Sequence, residues 1–278
     1  MRGLAAGLCS VTFRDRSVGE VIELAAAAGL DRIEWGGDRH VPHGDLRTAR
    51  LVGASTRAAG LEVCSYGSYL FALSTDGDEL RAVLDTACAL GAPTVRVWSP
   101  PVEAAPKGGG RSEEPGGLGP AARSLAAIAR AARERGLRVY LEFHGGTLTS
   151  AVGDALALLD LAGDPDLLCG WQPPYWEPRG IDREVSDIAL LGARLGHVHV
   201  YSWEPDTTRR ALGDQRAAWR RRLLAAGAPD APPGFERCAL IEFVRGDDPA
   251  QFVQDAAVLR ALLAERGAGL VAGEGIGP

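Results

Sequence analysis

Four short apolar runs in the C-terminal half of the chain each lead to residues able to bind a cation or move a proton. They are Arg138-Val139-Tyr140-Leu141-Glu142-Phe143-His144, Leu167-Leu168-Cys169-Gly170-Trp171-Gln172, Gly196-His197-Val198-His199-Val200 and Cys238-Ala239-Leu240-Ile241-Glu242-Phe243. A carboxylate among apolar neighbours is costly unless its charge is compensated. Glu142 and Glu242, if they face one another, must raise each other's pKa or hold a cation between them. With an imidazole alongside, divalent-metal binding and proton transfer are the chemistry that fits. The competing expectation is that each Glu is neutralised by a nearby Arg in a structural pair. His197 and His199 lie two apart, so both point to one face of their strand. His199, nearer the strand's C-terminal end, is the ligand candidate. His197, one layer deeper, reads as a core histidine held by hydrogen bonds.

These residues need a scaffold that gathers strand ends. The chain has 278 residues, about right for one (β/α)8 barrel of roughly 250. Expected strands are Leu4–Cys9, Arg32–Trp35, Glu62–Tyr66, Thr94–Trp98, Arg138–Phe143, Leu167–Gln172, His197–Tyr201 and Cys238–Phe243. Amphipathic stretches such as Val18–Ala28, Asp78–Leu90, Pro120–Arg135 and Asp248–Glu265 alternate with them. Gly29, Gly60, Gly91 and Gly136 stand where helices should close before the next strand. The alternation predicts a parallel sheet, and eight repeats predict a closed α/β TIM barrel over residues 1–267 with a flexible tail at 268–278. In that barrel Glu142, Gln172, His199 and Glu242 meet at the C-terminal face. A Pro/Gly-rich segment, Ser99–Gly119, leaves from the same face and reads as a mobile lid or a merely flexible loop.

Composition narrows the function. The formal charge of −6 disfavours phosphate-backbone binding, so no nucleic-acid partner is expected. No segment approaches the ~20 apolar residues of a membrane span, and the first apolar run is too short for a secretory signal; a cytoplasmic protein is expected. Lys107 is the only lysine, in a Gly-rich stretch, which removes Schiff-base chemistry. Cys9, Cys64, Cys88, Cys169 and Cys238 form no C-x-x-C pair and read as structural thiols. Gly108-Gly109-Gly110 lacks a strand–helix context for cradling phosphate.

Other residues should line the barrel mouth. Glu34 and Trp35 end the second strand, Tyr66 and Tyr69 lie near the end of the third, and Arg96 and Trp98 lie on the fourth. Trp35, Tyr66, Trp98, His144, Tyr175, Trp176 and Arg245 are the substrate-binding candidates, with Trp203 nearby. Aromatic walls with a few polar groups suit sugars, which present apolar C–H faces ringed by hydroxyls. Arg245 could bind a substrate carboxylate or phosphate, or form a surface ion pair. His40 and His43 form at most a weak candidate for a second metal site.

The pattern resembles the xylose isomerase-like TIM barrels, which include sugar isomerases and epimerases close to D-tagatose 3-epimerase, hydroxypyruvate isomerase and inosose dehydratase. The resemblance extends over essentially the whole chain. Glu142 resembles the family's Glu after strand five, His199 its His after strand seven, and Glu242 its Glu after strand eight. Ala211-Leu212-Gly213-Asp214 followed by Trp219 also resembles the stretch before the final helix and strand. The family's strand-six Asp is replaced by Gln172 and the following His position by Tyr175. Gln binds a hard cation through its amide oxygen but brings no charge. The resemblance implies a divalent ion (Mn, Mg, Co or Zn) on Glu142, Gln172, His199 and Glu242. It also implies Glu142 and Glu242 as base and acid, acting through an enediolate on a small sugar or sugar derivative. Related dehydratase or lyase chemistry shares the first proton abstraction. A non-catalytic sugar-binding barrel that has lost its metal is the alternative from another class. A DNA-repair endonuclease is disfavoured by the five histidines and the acidic charge. Helix faces of such barrels can associate, so a homo-oligomer is an open expectation.

Overall fold

Eight parallel strands pair in chain order and close on themselves, with β8 returning to β1. They are β1 (Ala5–Cys9), β2 (Arg32–Gly36), β3 (Glu62–Phe71), β4 (Thr94–Trp98), β5 (Arg138–Glu142), β6 (Leu168–Trp171), β7 (Leu195–Val200) and β8 (Cys238–Ile241). Helices follow them in turn: α1 (Val18–Ala27), α2 (Leu46–Ala58), α3 (Gly77–Leu90), α4 (Leu118–Arg133), α5 (Val152–Ala162), α6 (Ile181–Leu191), α7 (Arg216–Ala226) and α8 (Pro249–Gly273). This is the expected (β/α)8 barrel. The computed structural model describes residues 4–73, 77–104, 118–203, 208–228 and 230–273. Most of the Gly-rich segment singled out in the sequence, at 105–117, lies outside the described residues, as do 274–278. α8 runs past Gly267, where the sequence places the start of a flexible tail. The glycines expected to close helices do so: Gly29, Gly60, Gly91 and Gly136 all have positive φ, between 67° and 80°.

The period-two alternation of the strands divides the protein into two interiors. Outward residues such as Leu8, Ile33, Trp35, Val95, Val97, Leu141, Val198 and Ile241 join the helices in one large apolar core. The inside of the barrel is different. Barrel interiors are normally filled by layers of branched aliphatic side chains; here the inward set includes Glu34, Arg96, Tyr140, Glu142, His197 and His199, all buried. Contacts between strands that are not neighbours prove the direction. Arg96 on β4 and Tyr140 on β5 both reach Glu34 on β2. Two glycines make the space. A Cβ on Gly67 would stand 2.9 Å from Arg96 Nη2 and 3.0 Å from Glu34 Oε1, and one on Gly170 would stand 3.0 Å from the Tyr140 ring. The β2–β3 register also shifts beside Glu34, which pairs with Ser65 while Ile33 pairs with Val63. The extra residue on β3 is Cys64, and such bulges re-aim side chains near functional sites.

Candidate active site

Glu34, a buried acid in Ile33-Glu34-Trp35, collects the most donors. Arg96 Nη1 is 3.0 Å from its Oε1, Tyr140 Oη donates to Oε2, and Cys9 Sγ lies 3.7 Å from Oε1. Burial alone would raise this carboxyl's pKa. The Arg96 charge, the His199 charge and the Tyr140 hydrogen bond outweigh it and pull the carboxyl down to about 2. Arg96 reaches a second carboxylate on the same face: its Nε is 3.0 Å from Glu142 Oε2. Burial works against the guanidinium's charge, but Glu142 and Glu34 more than offset it and raise its pKa further.

The second carboxylate of the pair has a different partner. Glu242 Oε2 is 3.1 Å from His199 Nδ1. Burial would lower the imidazole's pKa, but the Glu242 charge and hydrogen bond, with Glu142 and Glu34 behind them, raise it to about 9. His199 is therefore an imidazolium at neutral pH in this arrangement. Its Nε2 is buried, has no hydrogen-bond partner among the described residues and lies 3.9 Å from Glu34 Oε1. Glu242 directly follows β8 and precedes strained backbone. The next residue, Phe243, has φ 56°, a left-handed conformation unusual for a bulky side chain. Stacking on Trp203, with ring centroids 4.6 Å apart, and the Arg209 guanidinium over the ring hold it there.

Gln172 sits between these groups, but its amide is turned. The nitrogen lies 3.0 Å from Glu142 Oε1 and 2.9 Å from the Phe143 carbonyl, so it faces two acceptors. The oxygen receives Tyr201 Oη at 2.9 Å, a proton shared with the Pro173 carbonyl at 2.8 Å. That network fixes which end of the amide is which. Turning the oxygen toward a metal beside Glu142 would set it against two oxygens.

Of the substrate-binding candidates, the structure gathers four. Trp98, His144, Tyr175 and Trp176 form a chain of ring contacts, with His144 4.7 Å from Trp176 and 5.2 Å from Trp98. His144 Nδ1 donates to Gly145 O at 2.9 Å, so its Nε2 accepts from Tyr175 Oη at 3.0 Å. Trp203 packs on Tyr175 at 4.2 Å. The indole nitrogens of Trp98 and Trp203 are buried and have no hydrogen-bond partner among the described residues, donors that a bound hydroxyl would satisfy.

Two candidates, Trp35 and Tyr66, are corrected. Trp35 is fully buried with its Nε1 donating to Thr56 of α2, so it points outward into the helix layer. Tyr66 is likewise buried, its hydroxyl donating to the Val41 carbonyl. For both, the outward phase of the strand decides, and being near a strand end is not enough. Arg245 is exposed and its guanidinium bonds Gln251 at the start of α8. His40 uses both ring nitrogens, on Ser10 Oγ and the Arg16 carbonyl, and has none left for a metal. The sequence undervalued Glu34, Arg96, Tyr140 and Tyr201. The signal for Arg96 was available: Thr94, Arg96 and Trp98 share a phase on a strand whose other residues are Val95 and Val97.

The proposed metal quartet does not fit a divalent ion in this arrangement. Among the described residues, three His, Cys or carboxylate ligand atoms come within 4.8 Å of one another in Cys64–His197–Cys238 and Cys9–Glu34–His199, and in no set that holds Glu142 or Glu242. Glu142 already faces the Arg96 guanidinium and the Gln172 amide nitrogen. Glu34 and Glu142 are paired with the Arg96 guanidinium, and His199 would have to give up the proton that Glu242 holds on it before it could ligate an ion. A divalent cation beside Glu142 would stand next to the Arg96 guanidinium and be repelled by it.

Comparison with known proteins places this arrangement. Residues 22–267 match the family described as xylose isomerase-like TIM barrel. No curated protein sequence matches the chain. Among solved structures, the chain is similar to D-psicose 3-epimerase with D-tagatose from Clostridium cellulolyticum H10, at 16% identity and a TM-score of 0.70, over 94% of this chain and 99% of that one. The probable 3-DHS dehydratase AsbF of petrobactin synthesis from Bacillus anthracis gives 16% and 0.66, over 92% and 99%. A xylose isomerase-like TIM barrel protein from Mycobacterium smegmatis in complex with magnesium gives 14% and 0.64, over 96% and 99%. At these identities the structures speak for the fold, whereas the family match spans most of the sequence, and the chain belongs to the xylose isomerase-like TIM barrel family.

Proposed function

We propose that this chain is an isomerase or epimerase that moves a proton beside the carbonyl of a small sugar or sugar derivative. Glu142 and Glu242 are the acid–base pair. The observation that carries this reading is their contrasting support at one barrel face: Glu142 is held by Arg96 and Gln172, and Glu242 by His199. Two carboxylates with different partners can take opposite protonation roles within one reaction. One removes the proton on the carbon next to the carbonyl, and the other returns it to the same or the neighbouring carbon. Negative charge develops on the carbonyl oxygen. The unpartnered Nε2–H of His199 is a buried cationic donor available for that charge. The Trp98–His144–Trp176 rings supply the apolar wall and the free indole N–H groups the hydroxyl contacts. The epimerases among the similar structures support a sugar substrate.

The test is solvent exchange. Purified protein is incubated in heavy water with a panel of ketoses, aldoses and sugar acids, and deuterium at carbon is read by NMR. Incorporation into one class of sugar is expected, with Glu142→Gln and Glu242→Gln each reducing the rate by about 10³-fold while far-UV dichroism stays unchanged. No incorporation into any sugar, or full activity in either variant, overturns the assignment.

A further inference from the structure

We propose that Arg96 is the resident cation of this barrel mouth: its guanidinium stands where the carboxylate set would otherwise hold a divalent ion, and the site works without metal. Three separate features of the fold converge on it. First, the guanidinium bridges carboxylates from two strands, with Nη1 3.0 Å from Glu34 Oε1 and Nε 3.0 Å from Glu142 Oε2. Second, Glu34 is committed to this bridge. Tyr140 and Cys9 donate to it as well, which fixes its oxygens toward the guanidinium. Third, the backbone leaves room for it. Only the missing side chain at Gly67 lets Arg96 Nη2 lie where it does.

Gln172 follows the same logic. A metal site asks for an oxygen at this position. Beside a carboxylate already paired to a guanidinium, the useful group is a donor, and the Gln172 amide presents its nitrogen to Glu142 Oε1. Glu142 Oε1 thus accepts the Gln172 amide N–H, while Oε2 is ion-paired with the Arg96 guanidinium. Arg96 is then a positioning residue. It fixes the carboxylate that moves the proton and supplies a charge that cannot be chelated away. Its importance for turnover rests on the proton-transfer reading above, whereas its place as the cation rests on geometry alone.

The experiment uses the full chain, stripped with EDTA and titrated with Mn²⁺, with free Mn²⁺ followed by electron paramagnetic resonance and stability by thermal unfolding. Wild type is expected to show no stoichiometric Mn²⁺ site and the same unfolding midpoint with and without EDTA. Arg96→Gln should gain Mn²⁺ affinity by about tenfold or more, because Glu34 and Glu142 lose their cation. The double variant Glu34→Gln/Arg96→Gln removes one charge of each sign. It should also gain Mn²⁺ affinity, and it serves where the single variant does not fold. Adding Glu142→Gln to whichever variant binds Mn²⁺ should abolish the gain, an effect a merely structural arginine would not produce. One tightly bound Mn²⁺ per wild-type chain, lost in Glu142→Gln, overturns the proposal. So does a folded Arg96 variant with unchanged affinity. Deuterium exchange keeps the two readings apart. Exchange by EDTA-treated wild type supports both, and exchange that appears only with Mn²⁺ overturns the Arg96 assignment. Absence of exchange with Mn²⁺ still unbound overturns the functional reading alone.

Discussion

His199 and His197 lie two residues apart on β7, point into the same barrel and live in opposite electrostatic worlds. His199 faces Glu242 at 3.1 Å, with Glu34 and Glu142 beyond it, and is held as a cation. His197 is caged by Tyr140, Phe235, Thr94 and the thiols of Cys64 and Cys238. Its Nδ1 accepts the Cys238 backbone N–H at 3.1 Å, which puts the ring proton on Nε2, facing Thr94 Oγ1 at 3.4 Å. Although three ligand atoms come close together there, the imidazole's lone pair is already engaged by the backbone, and the cluster does not need an ion. One step of the side-chain period thus separates a layer that gathers carboxylates, a guanidinium and an imidazolium from a layer of thiols, rings and hydrogen bonds. The lesson is that depth along a barrel strand assigns a histidine its role, because only the layer at the C-terminal ends gathers the carboxylates.

If the upper layer is an ion cluster and the lower one a hydrogen-bonded core, removing the central cation should cost most. Arg96→Leu leaves Glu34 and Glu142 buried without their partner, and breaking a buried pair this way costs about 3–5 kcal/mol. Urea unfolding at pH 7 measures it. A loss below about 1 kcal/mol would mean that the carboxylates find water or protons cheaply, and the contrast between the layers would collapse.

The pH dependence tests the same contrast without touching the arginine. His199 is raised to about 9 from its ordinary 6.5, so the native state binds this proton more tightly than the unfolded chain. Its contribution is fully present below pH 6.5 and fades as pH climbs through 9. The difference in unfolding free energy between wild type and His199→Gln should therefore shrink by roughly 3 kcal/mol between pH 6 and pH 10. Using that difference removes the thiols of the lower layer, which titrate in both proteins. A difference that does not change with pH would mean that the fold holds the His199 proton no more tightly than the unfolded chain does.

Gly67→Ala asks how tightly the cluster is built. The new Cβ would stand 2.9 Å from Arg96 Nη2 and 3.0 Å from Glu34 Oε1, both part of a fixed ion pair. Overpacking of this kind costs about 1–3 kcal/mol. The proton-exchange rate should fall as well, since Glu142 is held by the same guanidinium. An unchanged midpoint and rate would show that Arg96 swings aside freely.

Much of this molecule is written in its sequence, and unevenly so. The eight strands and the helix-closing glycines follow from apolar runs and turn chemistry, which are local signals. Glu142, His199 and Glu242 were readable as one face because each ends or lies near the end of a strand of its own. Trp35 and Tyr66 lie near strand ends but in the outward phase, and nearness to a strand end alone does not distinguish the two faces. The phase of Glu34 puts its neighbour Trp35 on the outside. Gln172 is of a type that fits a weak ligand, and the Tyr201 hydroxyl, Phe143 carbonyl and Glu142 carboxylate together turn its nitrogen toward Glu142. The pairing of Arg96 with Glu34 and Glu142 joins three strands across an interior. No spacing along the chain encodes such a meeting.

The smallest effect belongs to the lower layer. Thr94 Oγ1 donates to the Cys64 carbonyl at 2.8 Å and faces His197 Nε2 at 3.4 Å. Thr94→Val keeps the shape and removes both contacts. One neutral hydrogen bond contributes about 1 kcal/mol, and leaving the Cys64 carbonyl and the imidazole N–H short of a partner adds a comparable amount at most. A loss of about 1–2 kcal/mol in urea unfolding is therefore expected, with the deuterium-exchange rate within about twofold of wild type. The two readouts together are what sharpen the comparison, since Thr94 is on the same strand and in the same phase as Arg96 and differs only in depth. If the exchange rate fell as far as it does on altering Arg96, the two layers would form one connected network, and depth would no longer separate chemistry from packing.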